Sequence, residues 1–360
     1  MAEEPIWSLN TGTRIKGMTW WWWWWLFFIK NPENPAQPKQ LMVLWSTKNC
    51  DRIKIDDYDW ARKGDIEKAV NGEAGELKFN GVVGAWYFDG QKMNEELVLE
   101  ERNMASVWNK GNGTLKPVDG RNLTFSGGDG RYKVRIEAKG GDFEFNMSPW
   151  TKFQSQTRPG GKNYIGKVGY EMSKIYGNRM AGTIGGSPVE GTAYFQKVMV
   201  NAPAVPWYWG MFHGEEGSYL EYFMPHAGLP CLRRSSSPRS VLDRLELPLS
   251  KKIIFFHEPS QKNYEFRKNI SIKKSVENGL PTFSVSAKQG GAEIRMKLRA
   301  YSRACWTFRQ KFCGLDTVLH YNEYPTAMEE FILKDGTTII RKDDLGNAAG
   351  NTEHAWGTLA

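Results

Sequence analysis

Tyr194 and Gln196 stand two apart in the run Gly191-Thr-Ala-Tyr-Phe-Gln-Lys. In an extended chain residues at i and i+2 share a face, so a phenol and an amide project together and can orient a substrate carbonyl. Neither is a strong general acid. Glu353 and His354 are adjacent, with Trp356 just beyond, in a stretch bounded by Gly350 and Gly357. A carboxylate beside an imidazole near an indole can hold a proton donor at the mouth of a cavity. His213, His226, His257 and His320 are scattered and read as structural.

Other chemistries lack their motifs. The chain has no Gly-x-Ser-x-Gly elbow, phosphate loop or zinc-protease helix. Ser126-Gly-Gly-Asp-Gly130 reads as hairpin turns, because no helical pattern follows it. Cys50, Cys231, Cys305 and Cys313 do not have metal-ligand spacing. Asp56, Asp57 and Asp59 lack the turn glycine and closing glutamate of a calcium loop. Neither a metal nor a cofactor is expected.

The elements that must position these residues are strands. The chain has 360 residues, enough for two ordinary domains. Its 16 Trp, 37 Gly and 17 Pro suit short strands, many turns and large aromatic surfaces. The net charge of +8 is spread over the chain. One compact basic patch, Arg233, Arg234 and Arg239, lies in a Ser-rich segment that reads as a solvated loop, and no nucleic-acid motif accompanies it. A nucleic-acid partner is therefore not expected. Met1 to Asn10 is acidic, which argues against a secretory signal and makes a cytoplasmic location the default.

Met18 to Ile29 holds six consecutive tryptophans, Trp20 to Trp25. These twelve residues, apolar but for Thr19, fall short of the roughly 20 that span a bilayer as a helix. As a strand the run puts three indoles on each face, and both faces must be covered. A transient contact with a membrane surface is the alternative reading of this run. Asn49 to Val70 is charged and reads as a solvated loop or a short covering helix. Tyr132 to Ala138 and Phe143 to Met147 alternate about Gly140-Gly141 as a hairpin, and Gly290-Gly291 marks another. Between Val189 and His226, two aromatic runs flank Pro203 and Pro206, and Glu215 to Gly217 turns the second run back. Gly346 to Trp356 reads as a loop. The pattern predicts an all-β protein of barrels or sandwiches, with two halves of residues 1–202 and 203–360.

The central stretch carries a resemblance. Gly191-Thr-Ala-Tyr-Phe-Gln-Lys, then Val205-Pro-Trp-Tyr-Trp-Gly, then Glu216-Gly-Ser-Tyr-Leu, resembles the mid-chain signature of the carotenoid 1,2-hydratase and AttH-like superfamily. Tocopherol cyclases and fungal Diels–Alderases are more distant members. The tryptophan-rich first strand and the closing Glu353-His354-Ala-Trp356-Gly357 look similar to that group as well. The resemblance implies two lipocalin-like antiparallel β-barrel or sandwich domains with a hydrophobic pocket in or between them. Where that signature has an acid this chain has Gln196, and Lys197 stands where a histidine is expected. An amide cannot deliver a proton to an alkene.

The expected function is binding of a lipophilic unsaturated molecule (an isoprenoid, polyene or polyketide), with cyclisation, isomerisation or hydration of it. Tyr194, Gln196 and His354 are the candidate catalytic residues. Trp22, Trp24, Trp86, Trp207, Trp209, Glu353 and Trp356 are the candidate ligand-lining residues. A non-catalytic carrier of such a ligand is the alternative, and a carbohydrate-binding sandwich a further one.

Overall fold

The computed structural model describes residues 6–151, 154–237 and 245–360. Arg239 and residues 1–5 of the acidic N-terminus lie outside the described residues. Among the described residues there is no α-helix, and no helix long and apolar enough to cross a membrane.

The first strands are β1 (Trp20–Ile29), β2 (Lys39–Lys48), β3 (Arg52–Ile55), β4 (Tyr58–Ala61) and β5 (Glu67–Asn71). Then come β6 (Ala74–Phe88), β7 (Met93–Asn109), β8 (Asn112–Pro117), β9 (Leu123–Gly128) and β10 (Arg131–Ile136). β11 (Phe143–Pro149), β12 (Arg158–Ile165), β13 (Val168–Ile184) and β14 (Ser187–Asn201) follow. Ten of these close into an antiparallel barrel in the order β11-β10-β9-β8-β7-β6-β2-β1-β14-β13, where β13 pairs back to β11. Closure leaves those ten strands without a free edge.

The later strands begin with β15 (Trp207–His213), β16 (Tyr219–Gly228), β17 (Glu246–Pro248), β18 (Lys252–His257) and β19 (Lys262–Phe266). They continue with β20 (Ser271–Glu277), β21 (Leu280–Gln289), β22 (Ala292–Ala300) and β23 (Ala304–Phe312). β24 (Leu315–Asp335), β25 (Thr338–Arg341) and β26 (Ala349–Thr358) complete the series. They form a second sheet whose main path is β19-β18-β16-β15-β26-β24-β22-β21-β20, curled around its own core. The β3–β4 hairpin leaves the first half of the chain and joins this sheet through β23, where Phe308 pairs with Ile55.

The six-tryptophan run is the strand that both cores share. Trp21, Trp23, Trp25 and Phe27 point into the barrel against Phe79, Phe125 and Phe195. Trp24, Leu26 and Phe28, with the half-buried Trp20 and Trp22, face the second sheet. The period of two in a strand thus divides one apolar run between two cores. The Gly140-Gly141 and Gly290-Gly291 hairpins form where their alternation places them.

Three sequence expectations are corrected. Gly346 to Trp356 is not a loop; most of it is β26, an interior strand paired with β15 and β24. Its polar run Asn351-Thr-Glu-His354 reads as a loop, but ladder bonds on both sides make it a buried strand. Asn49 to Val70 is neither a loop nor a helix but carries β3, β4 and β5, because Ile53, Ile55 and Trp60 find cover against the second sheet. Arg233 is not solvated: it is buried, with its guanidinium 4.0 Å over the Trp356 ring.

Candidate active site between the barrel and the second sheet

The face of β1 turned to the second sheet meets β14 on one side. Trp24 pairs with Gln196 and Leu26 with Tyr194, so Tyr194 and Gln196 point out of the barrel. Tyr194 is fully buried and its hydroxyl donates to Gln196 Oε1 at 3.3 Å. Its ring packs with those of Trp24 and Trp209, at centroid distances of 5.7 and 5.4 Å. Trp209 comes from β15, across the interface. Its indole N–H donates to Glu221 Oε1 at 2.9 Å, and Glu221 is also ion-paired with Lys174 of β13. That pair joins barrel to sheet with both side chains nearly excluded from solvent, at 6% and 5% exposure.

Beside it lies a second polar group. β24 and β26 set Glu323 directly opposite Glu353, two carboxyl groups on adjacent strands with both side chains buried. Tyr321, two residues before Glu323 and so on its face, reaches both acids. Its hydroxyl is 2.5 Å from Glu323 Oε1 and 2.8 Å from Glu353 Oε1. A phenol has one hydrogen and donates once. If Tyr321 donates to one carboxylate, the other acid must itself be protonated and donate to the phenol oxygen. The geometry therefore calls for one carboxylic proton shared by the trio.

Electrostatics act in the same direction. Burial raises Glu353 from an ordinary 4.5 to about 7, against the opposing hydrogen bonds of Trp207 and Tyr321 and the charge of Lys174. Trp207 Nε1 donates to Glu353 Oε2 at 2.7 Å. Burial and then the charge of Glu353 push Glu323 well above the carboxylate range, partly offset by Tyr321, Trp86 and Trp24. The indole N–H groups of Trp24 and Trp86 and Glu323 Oε2 are buried without a bond of full hydrogen-bond geometry. Burial keeps both Tyr321 and Tyr194 protonated far above the usual phenol range. Two acids of like charge side by side share protons in this way.

A small cavity of about 20 Å³ lies in the same interface, lined by Trp20, Leu44, Ile55, Val82, Trp306 and Phe308 among others. It has room for about one water molecule. Phe308 borders it and also stands 6.5 Å, centroid to centroid, from Tyr321. Trp20 packs on Phe308 at 5.1 Å and on Trp22 at 5.5 Å, which carries the aromatic wall back toward Trp24.

Of the residues singled out in the sequence, Tyr194, Gln196, Trp22, Trp24, Trp86, Trp207, Trp209 and Glu353 all belong to this interface. His354 and Trp356 do not. They alternate with Glu353 and Ala355 along β26 and so point to its opposite face. There His354 stacks on Tyr208 at 4.2 Å, and Trp356 donates to the carbonyl of Ser235. The sequence reading did not single out Tyr321, Glu323, Lys174 or Glu221. Tyr321-Asn322-Glu323 has the phenol-x-acid spacing that Tyr194-Phe-Gln196 lacks, and that was the available signal.

Fold and site define an almost all-β protein, a closed barrel with a second large sheet, whose buried interface sets two carboxyl groups against one tyrosine. No family model matches the chain, and no curated protein matches it either. Solved structures are similar to it almost end to end. A protein described as AttH from Nitrosomonas europaea shares 12% identity over 97% of each chain, with a TM-score of 0.47. Kievitone hydratase from Nectria haematococca shares 9% over 97% of this chain and 93% of its own, with a TM-score of 0.39. CghA, crystallised with Sch210972, shares 7% over 95% of this chain and 89% of its own, with a TM-score of 0.40.

Proposed function

We propose that the interface between the barrel and the second sheet opens to admit a lipophilic unsaturated small molecule, and that the protein starts its cyclisation, isomerisation or hydration by protonating it. The observation that carries the reading is one phenol, Tyr321, within hydrogen-bond distance of two buried carboxyl groups, Glu323 and Glu353. The protonated acid delivers its proton to an alkene carbon. Cationic charge then develops beside the π faces of Trp24, Trp207 and Trp209, which attract it. The carboxylate left behind takes a proton back, from a neighbouring carbon in isomerisation or cyclisation, or from the adding water in hydration. Acid catalysis of this kind contributes on the order of 10²–10⁴-fold. Tyr194 and Gln196 hold a polar end of the substrate, and the aromatic walls fix its fold.

The test begins with native mass spectrometry of the purified protein and organic extraction of what co-purifies. The extract is returned to fresh protein in deuterated water. Carbon-bound deuterium in a changed product supports the proposal, provided that Glu323→Gln and Glu353→Gln each lower its formation at least tenfold. A ligand that is bound but recovered unchanged and unlabelled overturns catalysis and makes the protein a carrier.

A further inference from the structure

The outer end of the second sheet turns an apolar face to solvent. β17 lies along β16 with Ala227 opposite Leu247 and Gly228 opposite Glu246. The pairing runs on at both ends, where the Leu229 N–H donates to the Leu245 carbonyl and the Leu249 N–H to the Pro225 carbonyl. Opposite residues of an antiparallel pair share a face. Pro225, Ala227, Leu229, Leu245, Leu247 and Leu249 therefore stand on one side, while His226 and Glu246 stand on the other, turned inward. The 3₁₀ turn Leu229–Leu232 adds Leu232, three residues on and so above Leu229. Leu229, Leu232, Leu245, Leu247 and Leu249 are between 42% and 71% exposed. So many large apolar side chains gathered on one face mark a binding surface.

The barrel contributes to the same end of the molecule. Lys174 pairs with Glu221 and Tyr176 stacks on Tyr219 at 4.5 Å, so β13 and β16 run antiparallel across the interface. They leave it together, β13 toward Val168 and β16 toward Leu229. Ile165 and Val168, paired at the tip of the β12–β13 hairpin, are 87% and 47% exposed. The charge around both tips has one sign. Residues 154–170 hold Arg158, Lys162 and Lys167 and no acid, and residues 222–237 hold Arg233 and Arg234 and no acid. Residues 245–252 hold Lys251 and Lys252, with Glu246 on the inward face as their one acid. Lys162, Lys167 and Arg234 are exposed.

We propose that this end of the molecule docks on an anionic lipid bilayer, with the leucines of β17 and of the 3₁₀ turn entering the acyl layer. Aliphatic side chains ringed by lysine and arginine complement such a surface in both apolar area and charge. A protein partner fits less well, because leucine is under-represented among the residues that dominate protein–protein contacts, where Trp, Tyr and Arg prevail. Pro225 pairs with Trp207, whose indole N–H holds Glu353, so the leucine face borders the edge of the candidate site. A lipophilic molecule dissolved in the bilayer has a short path to that edge. This use of the surface rests on the proposed function, whereas docking itself does not.

The experiment sediments the full-length chain with vesicles of phosphatidylcholine, and with vesicles of equal parts phosphatidylcholine and phosphatidylserine. The expected result is that the chain pellets with the anionic vesicles and binds the neutral ones about tenfold more weakly, a difference that high salt removes. Leu245→Ser with Leu247→Ser, and separately Lys162→Glu with Lys167→Glu, each lower partitioning about tenfold. All four positions are exposed, and a melting temperature equal to the parent's separates lost docking from lost folding. Pelleting that either variant retains in full overturns the proposal. So does a parent chain that fails to pellet with the anionic vesicles. In that case a dimer that Leu245→Ser with Leu247→Ser dissolves assigns the face to a second copy. Turnover of substrate supplied in detergent reports on Glu323 and Glu353 and not on the leucines, so failure of docking and failure of the proton-transfer reading are told apart.

Discussion

At the scale of single residues, Tyr321 sets the proton count of the buried acids, because its one hydrogen cannot satisfy two anions. Glu353 gives this a pH signature. Its folded-state value is raised from 4.5 to about 7 by burial, so the folded protein holds a proton that the unfolded chain has released between those values. Its contribution to stability is therefore fully present below about 4.5 and lost as pH rises through about 7. Melting temperatures measured from pH 4.5 to 8 should fall more steeply in the parent than in Glu353→Gln, which carries no titrating group there. Equal slopes would mean that Glu353 ionises normally. Lys174 gives a second residue-level prediction. Lys174→Met strands Glu221 as a buried charge and should cost about 3–5 kcal/mol, whereas Lys174→Met with Glu221→Leu should cost much less. Urea denaturation of the two variants measures the difference.

At the scale of elements, the alternation of β1 and β26 assigns each side chain to a core, and close approach between strands fixes their spacing. Gly350 of β26 pairs with Phe212 of β15. A Cβ at position 350 would lie 1.9 Å from the Phe212 ring. Gly350→Ala should therefore destabilise by about 1–3 kcal/mol or more, through overpacking of the strand that carries Glu353. Phe212→Leu added to it should recover part of the loss in a chemical denaturation series. If Gly350→Ala melts with the parent, β15 and β26 are not packed in this register.

At the scale of the whole molecule, the two sheets share an apolar interface, and the first half lends the second its β3–β4 hairpin. Residues 203–360 made alone would expose Trp209, Trp306 and Phe308 together with the β23 edge that Ile55 covers. Such a fragment should aggregate, because large exposed apolar patches and open strand edges associate. The intact chain should unfold in one transition with matching calorimetric and van't Hoff enthalpies. Two separate transitions would show that the halves are energetically independent.

Much of this was legible in the sequence because it rests on local rules. Alternation and glycine turns marked the strands, and six tryptophans in a row required a strand covered on both faces. The Tyr194–Gln196 pair and the flanking tryptophans marked one wall of the interface. What the sequence left undecided depended on partners remote in the chain. Glu353 and His354 are neighbours in sequence, yet pleating sends them to opposite faces and different chemistries. Glu323 becomes an acid of raised pKa because burial removes its water and, second, because β26 brings Glu353 opposite it. Glu246 meets His226 and His354 only because β17 folds back along β16. Strand period is a property of adjacent residues and can be read from them. Register between distant strands and loss of solvent are set by tertiary structure, and these bring two ordinary glutamates together behind one tyrosine.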